Sequence, residues 1–546
     1  MNKNLQHQVI LPSSESVLEL LKLDPDSLMS IKPLSKRLQY QAVIMWLTDY
    51  KCPQEVNKNL ELVKGYLEAF YHLSQVEDWE KASKILQIKV PPINQDLDTQ
   101  LMRWGYYKEC IQLYSRLLGK LGQHWDGICL NGLGVAYRSL GKYNKAIEYH
   151  QQHFQIAREI GNRSGEGIAL GNLGVAYRSL GKYNKAIEYH QQHFQIAREI
   201  GNRSREGAAL GGLGLAYRSL GKYHKAIEYH QQSLQIAMEI SDRYSEGNAL
   251  GNLGLAYRSL GEYHKGIKYH QQSLQIAREI GDRYGEGNAL GSLGLAYRSL
   301  GKYHKAIEYH QQSLQIAREI GDRYGEGNAL GSLGLAYNSL GESHKAIEYH
   351  QQSLQIAREI RNRSGESNAL GSLGLAYNSL GEYHKAIKYH QQYLQIAREI
   401  GNRSGEGIAL INLGNAYNSI GEYDKAIEYY QHSLQIAGEI GDRSGEGHAL
   451  GDWGETLLKL EKYPESLEYS QAALEIFQQI GNPHHQAIAL KNIAETHQHL
   501  GNLDAARQYC HEALAIFTEL GVPELKECQE LLEEIQKSKV RISVKI

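Results

Sequence analysis

The sequence predicts an all-α solenoid in which short helix pairs stack along the chain. The first observation is a repeated segment of constant length, because residues 281–320 and 321–360 have the same residue at all but three positions. The second is a pair of stretches within each copy whose apolar residues recur at i, i+3 and i+7, as on one face of a helix. A repeat of this length is typical of solenoids, in which each unit contacts only its neighbours.

One repeat illustrates the two predicted helices. Leu250, Leu253 and Tyr257 lie on one face of the first helix, and Ile267 and Leu274 lie on one face of the second. Each helix is expected to have about 16–18 residues, which corresponds to a length of roughly 25 Å.

Glycine and polar residues mark the ends of these helices. Gly261 separates the two helices of this repeat, and Gly281 follows the second helix. Glycine is favoured just past a helix because it adopts left-handed backbone angles without a Cβ clash. Asp282 and Tyr284 are candidate N-caps for the first helix of the next repeat.

These residues form a motif of a known family. Leu253-Gly254-x-x-Tyr257, followed by Gly261-x-Tyr263 and a small residue at the start of the second helix, resembles the tetratricopeptide repeat. The usual repeat of that family has about 34 residues, and the longer repeat here resembles those of kinesin light chain and the Pins-type cell-polarity adaptors. The resemblance covers roughly 121–519. It implies a right-handed superhelical α-solenoid whose concave groove binds a segment of another protein.

The chain divides into four predicted regions. The first is a disordered N-terminus, followed by a helical region of degenerate repeats that caps the solenoid, about ten repeats of 40 residues, and a C-terminal capping helix with a short tail. Their boundaries are 1–13, 14–120, 121–519 and 520–546. The alternating pattern of the tail, SKVRISVKI, predicts a loose strand.

The N-terminal region together with near-identical repeats also resembles C-terminal regions of bacterial signalling proteins of the STAND NTPase kind. In those proteins the repeats act as a sensor beside an ATPase or effector domain. This sequence contains no GxxxxGK[ST] motif. The resemblance therefore implies a sensor or regulatory subunit whose effector is a separate chain.

Composition restricts the function classes and the location. The chain has 59 basic and 61 acidic residues, so it has no strong overall field for nucleic-acid binding. Its five cysteines are scattered and form no CxxC pair, which is typical of reduced thiols in a cytosolic protein. The first residues contain no apolar run long enough for a signal peptide, and no stretch of the sequence approaches 18 consecutive apolar residues. We therefore expect a cytoplasmic protein that binds neither nucleic acid nor a membrane.

The first helix of each repeat carries a second stripe of residues, which by the family resemblance lines the groove. Arginine can bind carboxylates with two hydrogen bonds, and asparagine offers a donor and an acceptor to a peptide backbone. The predicted partner is a protein or peptide segment with acidic residues at one end and apolar residues along it. The candidate binding residues are an arginine column that changes to asparagine (Arg138, Arg178, Arg218, Arg258, Arg298, Asn338, Asn378, Asn418), an asparagine column (Asn248, Asn288, Asn328, Asn368) and an apolar floor (Leu215, Leu255, Leu295). The alternative is that the arginines are merely solvated and that duplication has copied each column.

Histidines and glycines suggest other sites, but their patterns do not support them. The histidine that recurs at 150, 190, 230, 270, 310, 350 and 390 lies on the packing face, and its neighbours lack the spacing of a metal site. Gly285-x-Gly287 resembles a dinucleotide fingerprint but has no preceding strand. We expect no metal, no cofactor and no enzyme activity, since no catalytic constellation stands apart from the repeats.

Three functions remain open. The first is an interaction scaffold that binds a peptide segment of a partner in its groove. The second is the sensor or regulatory subunit described above. The third is a structural rod that self-associates through its ends.

Overall fold

The computed structural model describes residues 11–51, 59–90 and 95–545, with side chains up to residue 538. Residues 1–10 of the predicted disordered N-terminus lie outside the described residues. So does the pair Pro91-Pro92, at which the sequence indicates a joint between helical segments. The chain forms two compact units. Unit 1 consists of Met1–Ala169 and Arg318–Tyr324, and unit 2 consists of Leu170–Ala317 and Gly325–Ile546.

Short elements precede the regular repeats. They are α1 (Ser14–Leu21), a 3₁₀ helix (Pro25–Ser30), α2 (Leu34–Thr48), α3 (Asn59–Leu62), α4 (Lys64–Gln75), α5 (Trp79–Leu86), β1 (Lys89–Val90), β2 (Gln95–Asp96), α6 (Leu97–Arg103) and α7 (Tyr107–Leu117). The two strands pair antiparallel, with Lys89 opposite Asp96. The sequence did not predict this hairpin, because a strand of two residues is too short to show alternation.

Regular helix pairs make up the rest of the chain. In order they are α8 (Gln123–Ser139), α9 (Tyr143–Glu159), α10 (Arg163–Ser179), α11 (Tyr183–Glu199), α12 (Arg203–Ser219), α13 (Tyr223–Glu239), α14 (Arg243–Ser259), α15 (Tyr263–Glu279), α16 (Arg283–Ser299), α17 (Tyr303–Glu319), α18 (Arg323–Ser339), α19 (Ser343–Glu359), α20 (Arg363–Ser379), α21 (Tyr383–Glu399), α22 (Arg403–Ser419), α23 (Tyr423–Ile440), α24 (Arg443–Lys459), α25 (Tyr463–Ile480), α26 (Pro483–His499), α27 (Leu503–Leu520) and α28 (Leu525–Lys545). This series confirms the predicted all-α solenoid of helix pairs.

The glycine and N-cap residues predicted at the helix ends form the expected hydrogen bonds. Gly281 has a φ of 70° and follows α15. The N–H of Asp282 donates to the carbonyl oxygen of Ala277 at 2.8 Å, as in a Schellman motif. The Asp282 side chain then accepts a hydrogen bond from the N–H of Gly285 at 3.0 Å and caps α16. Asp282, and not Tyr284, is therefore the N-cap of that helix.

Within a repeat, the two helices pack through apolar, small and aromatic side chains. Leu250 and Leu253 of α14 are buried in this contact. Beside them, the rings of Tyr257 and Tyr269 stack at 5.3 Å with an interplanar angle of 6°. The ammonium of Lys265 lies 5.5 Å from the Tyr257 ring centroid. Aromatic pairs in this offset range add to the free energy gained from area burial.

Ion pairs connect one repeat to the next. Glu286 of α16 is almost fully buried and accepts hydrogen bonds from Arg278 of α15 at 2.8 Å and from Arg283 at 2.5 Å. Both arginines lower the pKa of Glu286, although burial acts to raise it. A buried carboxylate is stable only when paired in this way, so this position links neighbouring repeats.

Turns that are more than five repeats apart contact each other in unit 2. A Cβ built on Gly181 would lie 3.3 Å from the backbone nitrogen of Ser404, and one on Gly261 would lie 2.9 Å from Cγ of Pro483. Consistent with this contact, a hydrogen bond with Ser404 partly offsets the burial that raises the pKa of Tyr183. The turn inside one repeat therefore packs against the turn between two much later repeats.

The C-terminal tail corrects one prediction. The expected strand in SKVRISVKI is wrong, because α28 runs to Lys545. The hydroxyl of Ser538 donates to the carbonyl oxygen of Glu534 at 3.0 Å, on the helical spacing. A lone strand leaves its backbone groups without partners, whereas a helix satisfies them within the segment.

Candidate binding site

A recess opens beside the first helices of adjacent repeats, and we call it the asparagine–leucine recess. It has a volume of about 320 Å³ and is lined by Asn248 and Leu255 of α14, Ser273 and Ile276 of α15, and Asn288 of α16. Gly251 also lines it, and the missing side chain leaves room between the helices. Asn252 lines it too, so the recess combines three amides with an apolar floor.

The amides in this recess are available to a ligand. The side chains of Asn248 and Asn288 are exposed, as are those at the equivalent positions Asn328 and Asn368. Below them, Ser273 is already engaged, because its hydroxyl donates to the carbonyl oxygen of Gly247 at 2.8 Å. Leu255 lines the recess and is partly buried, as are Leu215 and Leu295 at the equivalent positions of the neighbouring repeats. An extended chain in the recess would meet amide groups at intervals of one repeat.

A second opening lies at the contact between distant turns of unit 2, and we call it the arginine cavity. It has a volume of about 530 Å³. It is lined by Arg258 and Arg298, by His484 and Glu524, and by several tyrosines and serines. Tyr263 and Tyr303 are the tyrosines that follow the two arginines along the chain.

The arginines in this cavity are poorly solvated and mutually repulsive. Burial lowers the pKa of Arg258, and the neighbouring Arg298 lowers it further. Burial lowers the pKa of Arg298 as well, and it lowers that of Arg218 to about 10, with a contribution from Arg258. The Nε atoms of all three have no hydrogen-bond partner among the described residues. Their positive charge is thus uncompensated at close range.

Other arginines of the same repeat are paired with glutamates. Arg243 pairs with Glu246 at 2.6 Å and with Glu279 at 2.5 Å. Arg278 pairs with Glu286 at 2.8 Å, as described above. The repeat therefore neutralises its outer arginines and leaves the inner column without a carboxylate partner.

The lining of the cavity also includes a histidine–glutamate pair. Nε2 of His484 lies 3.2 Å from Oε1 of Glu524. This hydrogen bond lowers the pKa of Glu524. Burial raises the pKa of Tyr263 to about 12, with a contribution from Glu524, so the Tyr263 hydroxyl is neutral and can donate a hydrogen bond at pH 7.

The predicted binding residues thus line two separate openings, the recess and the cavity. Asn248, Asn288 and Leu255 meet in the recess, whereas Arg258 and Arg298 meet in the cavity. The sequence predicted all of them along one groove and did not indicate that His484 and Glu524 would lie beside the arginines. His484 is in the last repeat and Glu524 is in the turn before α28, where the sequence showed no motif.

The remaining members of the arginine column are in comparable helix positions. Arg138 and Arg178 are partly buried. Further along, the amide of Asn338 donates to the hydroxyl of Ser379 at 3.0 Å and accepts from Ser343 at 2.9 Å. Asn378 and Asn418 each keep a buried amide oxygen without a partner among the described residues. The later repeats are therefore neutral where the earlier ones are basic.

The described residues contain neither a metal-binding cluster nor a membrane-spanning helix. No group of three or more His, Cys, Asp or Glu residues is arranged to hold a metal ion within 11–51, 59–90 and 95–545. In the same part of the chain, no helix is both long and apolar enough to cross a membrane.

Models of one protein family match most of the chain. Two family models, both described as tetratricopeptide repeat, match the sequence. One matches 165–239, 245–319, 288–359, 365–439 and 446–519, and the other matches 130–164. Among curated proteins, no sequence matches the chain significantly.

Solved structures with a similar arrangement are distant in sequence. A Rap protein complexed with competence and sporulation factor is 14% identical, with a TM-score of 0.48 over 70% of this chain and 99% of its own. The quorum sensor NprR from B. thuringiensis is 15% identical, with a TM-score of 0.42 over 69% and 99%. Yeast Tom70 is 12% identical, with a TM-score of 0.44 over 82% and 95%.

Proposed function

The chain belongs to the tetratricopeptide repeat family, whose repeats build protein-interaction scaffolds, and we propose that it binds a peptide segment of a partner protein in the asparagine–leucine recess. The observation that carries this proposal is the exposed amide at the same position of successive repeats, above a floor of leucine. A row of amides matches the repeating donors and acceptors of an extended peptide backbone.

The leucine floor supplies the apolar part of the proposed contact. Leu255 lies between Asn248 and the arginine column and is only partly buried by its own repeat. A ligand side chain that covers it would gain about 25 cal/mol for each Å² of apolar surface removed from water. The partner segment should therefore carry apolar residues that face the floor.

The arginine column would add charge selectivity at one end of the groove. Arg178, Arg218, Arg258 and Arg298 precede the repeats in which the position is asparagine. Acidic residues of the partner segment would be favoured near these arginines, and this contribution should weaken as salt screens it.

A displayed library of random peptides, selected on the purified full-length chain, tests the proposal. The affinity of the selected peptides is then measured by fluorescence anisotropy for the wild type and for the Asn248→Ala/Asn288→Ala variant. We expect the variant to bind roughly 5- to 160-fold more weakly, because the two lost hydrogen bonds together cost about 1–3 kcal/mol.

The control removes two amides from another surface of the same repeats. Gln271 and Gln311 are exposed on the second helices and do not line the recess. Gln271→Ala/Gln311→Ala should bind like the wild type. Equal weakening by both double variants, or by neither, would contradict the assignment of the recess.

The other two functions make different predictions. A regulatory subunit would also bind a peptide, but binding would change the activity of a separate effector chain. A self-associating rod would grow with concentration and would need no foreign ligand. Sedimentation velocity at several protein concentrations, with and without a selected peptide, separates the rod from the other two.

A further inference from the structure

We propose that the arginine cavity is a binding site for a compact phosphate-type dianion, such as a phosphomonoester group. This goes beyond the proposed function, because a small anion can occupy the cavity whether or not a peptide fills the asparagine–leucine recess. The cavity and the recess share no lining residue.

The charges in the cavity are out of balance. Arg258 and Arg298 line it, Glu524 is the acidic residue among the described lining residues, and His485 is neutral because burial lowers its pKa to about 2. Glu524 is already bonded to His484. Arg258 and Arg298 form no ion pair with any described residue, although Arg243 and Arg278 of the same repeats do. An added dianion would compensate both cavity arginines.

Leaving these cations without a partner costs stability. Arg258 and Arg298 are partly buried, and a charge withdrawn from water without a counter-ion destabilises a fold, whereas other residues fit the same backbone position. The chain itself shows this, because Asn338, Asn378 and Asn418 occupy the register of the arginines in later repeats. A cationic side chain in the cavity, where a neutral one is structurally acceptable, is best explained by a ligand that carries negative charge.

The set of donors in the cavity favours a phosphate group over a single carboxylate. Guanidinium groups bind phosphate and carboxylate oxygens through paired N–H donors. A phosphate group has enough oxygens to accept from both guanidiniums and still accept from the neutral hydroxyls of Tyr263 and Tyr303, which line the same space. A single carboxylate has two oxygens for the same set of donors. The cavity volume, about 530 Å³, leaves room for the group to which the phosphate is attached.

The test measures binding of inorganic phosphate and of pyrophosphate to the full-length protein by isothermal titration calorimetry. Sodium chloride keeps the ionic strength constant, so that general screening is the same in every sample. The variant Arg258→Asn/Arg298→Asn introduces the residue that the later repeats carry. We expect each arginine removed to weaken phosphate binding by about tenfold or more.

The control variant, Lys268→Gln/Lys388→Gln, removes the same amount of charge from exposed positions on second helices. It should bind phosphate like the wild type. Thermal unfolding is an independent measurement. If the arginines had only a structural role, phosphate would not change the unfolding temperature. Phosphate should raise the unfolding temperature of the wild type, whereas Arg258→Asn/Arg298→Asn should be more stable than the wild type without phosphate and should not respond to it.

Three results would overturn the proposal. The first is a wild type that responds to phosphate no more than to chloride at equal ionic strength. The second is equal phosphate binding by the wild type and by Arg258→Asn/Arg298→Asn, which would place the anion elsewhere. The third is tighter binding of malonate than of phosphate, which would assign the cavity to carboxylates. None of these results depends on whether the recess binds a peptide.

Discussion

Gly254 and His270 are packed so closely that a Cβ built on the glycine would lie 2.5 Å from Cε1 of the imidazole ring. The same contact recurs in neighbouring repeats, for example at 2.4 Å between Gly294 and His310. The imidazole ring therefore fills the space that the glycine leaves between the two helices of a repeat. Glycine is required at this position because of packing and not because of its backbone angles.

This contact predicts opposite effects for two glycines in one helix. Gly254→Ala should lower stability by about 1–3 kcal/mol, because the added methyl overpacks the pair. Gly251→Ala should be neutral or stabilising by up to about 1 kcal/mol, since its Cβ would meet only Ser273 Oγ at 3.4 Å and alanine favours the helix. Thermal unfolding of the two variants and the wild type tests this prediction. Equal unfolding midpoints for the two variants would contradict it.

The buried histidines predict a loss of stability in mild acid. Burial, with a smaller contribution from the neighbouring Arg258, lowers the pKa of His270 from 6.5 to about 3. The folded chain then binds fewer protons than the unfolded chain, so the full contribution to stability is present above about pH 6.5 and is lost as the pH falls toward 3. Each such histidine should cost about 1.4 kcal/mol per pH unit within that window.

The chain contains a natural replacement that serves as the control. In the repeat where Tyr430 stands in place of histidine, its hydroxyl donates to Asn415 at 2.6 Å. The variant Leu255→Asn/His270→Tyr should therefore fold and should lose less stability than the wild type between pH 7 and pH 5. The unfolding temperatures of the variant and the wild type, measured between pH 7 and pH 5, test this prediction. Parallel curves for the two proteins would show that His270 does not titrate on unfolding.

The sequence was sufficient for the helix pairs because each repeat carries its own signals. Gly281, Asp282 and the apolar face that includes Leu253 act within one repeat or between neighbours, and local physics decides their structure. The site was harder to predict. Arg258 was expected in an open groove, but its surroundings include His484 from a repeat far along the chain. Such contacts depend on small rotations that accumulate over many repeats, and no single repeat encodes them.

One helix end carries an unfavourable residue, which predicts a stabilising substitution. Arg361 has a φ of 55°, whereas the equivalent residue after α15 is Gly281, with a φ of 70°. A side chain in this left-handed region costs about 1–2 kcal/mol, so Arg361→Gly should stabilise the protein by about 1 kcal/mol. The reciprocal variant Gly281→Ala should destabilise it, although its Cβ would meet nothing within 4 Å. Unfolding temperatures test both, and a destabilised Arg361→Gly would contradict this account.

Cys510 of α27 and Cys528 of α28 predict a disulfide that forms under oxidising conditions. Their Sγ atoms lie 3.7 Å apart and both residues are fully buried. The hydrogen bond with Cys528 and burial raise the pKa of Cys510. Because the thiolate is the reactive form, exchange should be slow until α28 detaches. Oxidised glutathione should then accept the two electrons and two protons that the thiols release.

The bond should hold α28 against the last repeat. For a loop of this size, a disulfide stabilises by about 3 kcal/mol, so hydrogen exchange in α28 should slow after oxidation. Mass spectrometry of the oxidised protein should find one crosslinked peptide and the loss of two hydrogen atoms. Cys510→Ala, which resembles the small residue Ser470 at the same position of the preceding repeat, should show neither change. Exchange in α28 that is equally fast before and after oxidation would mean that the thiol pair does not control this helix.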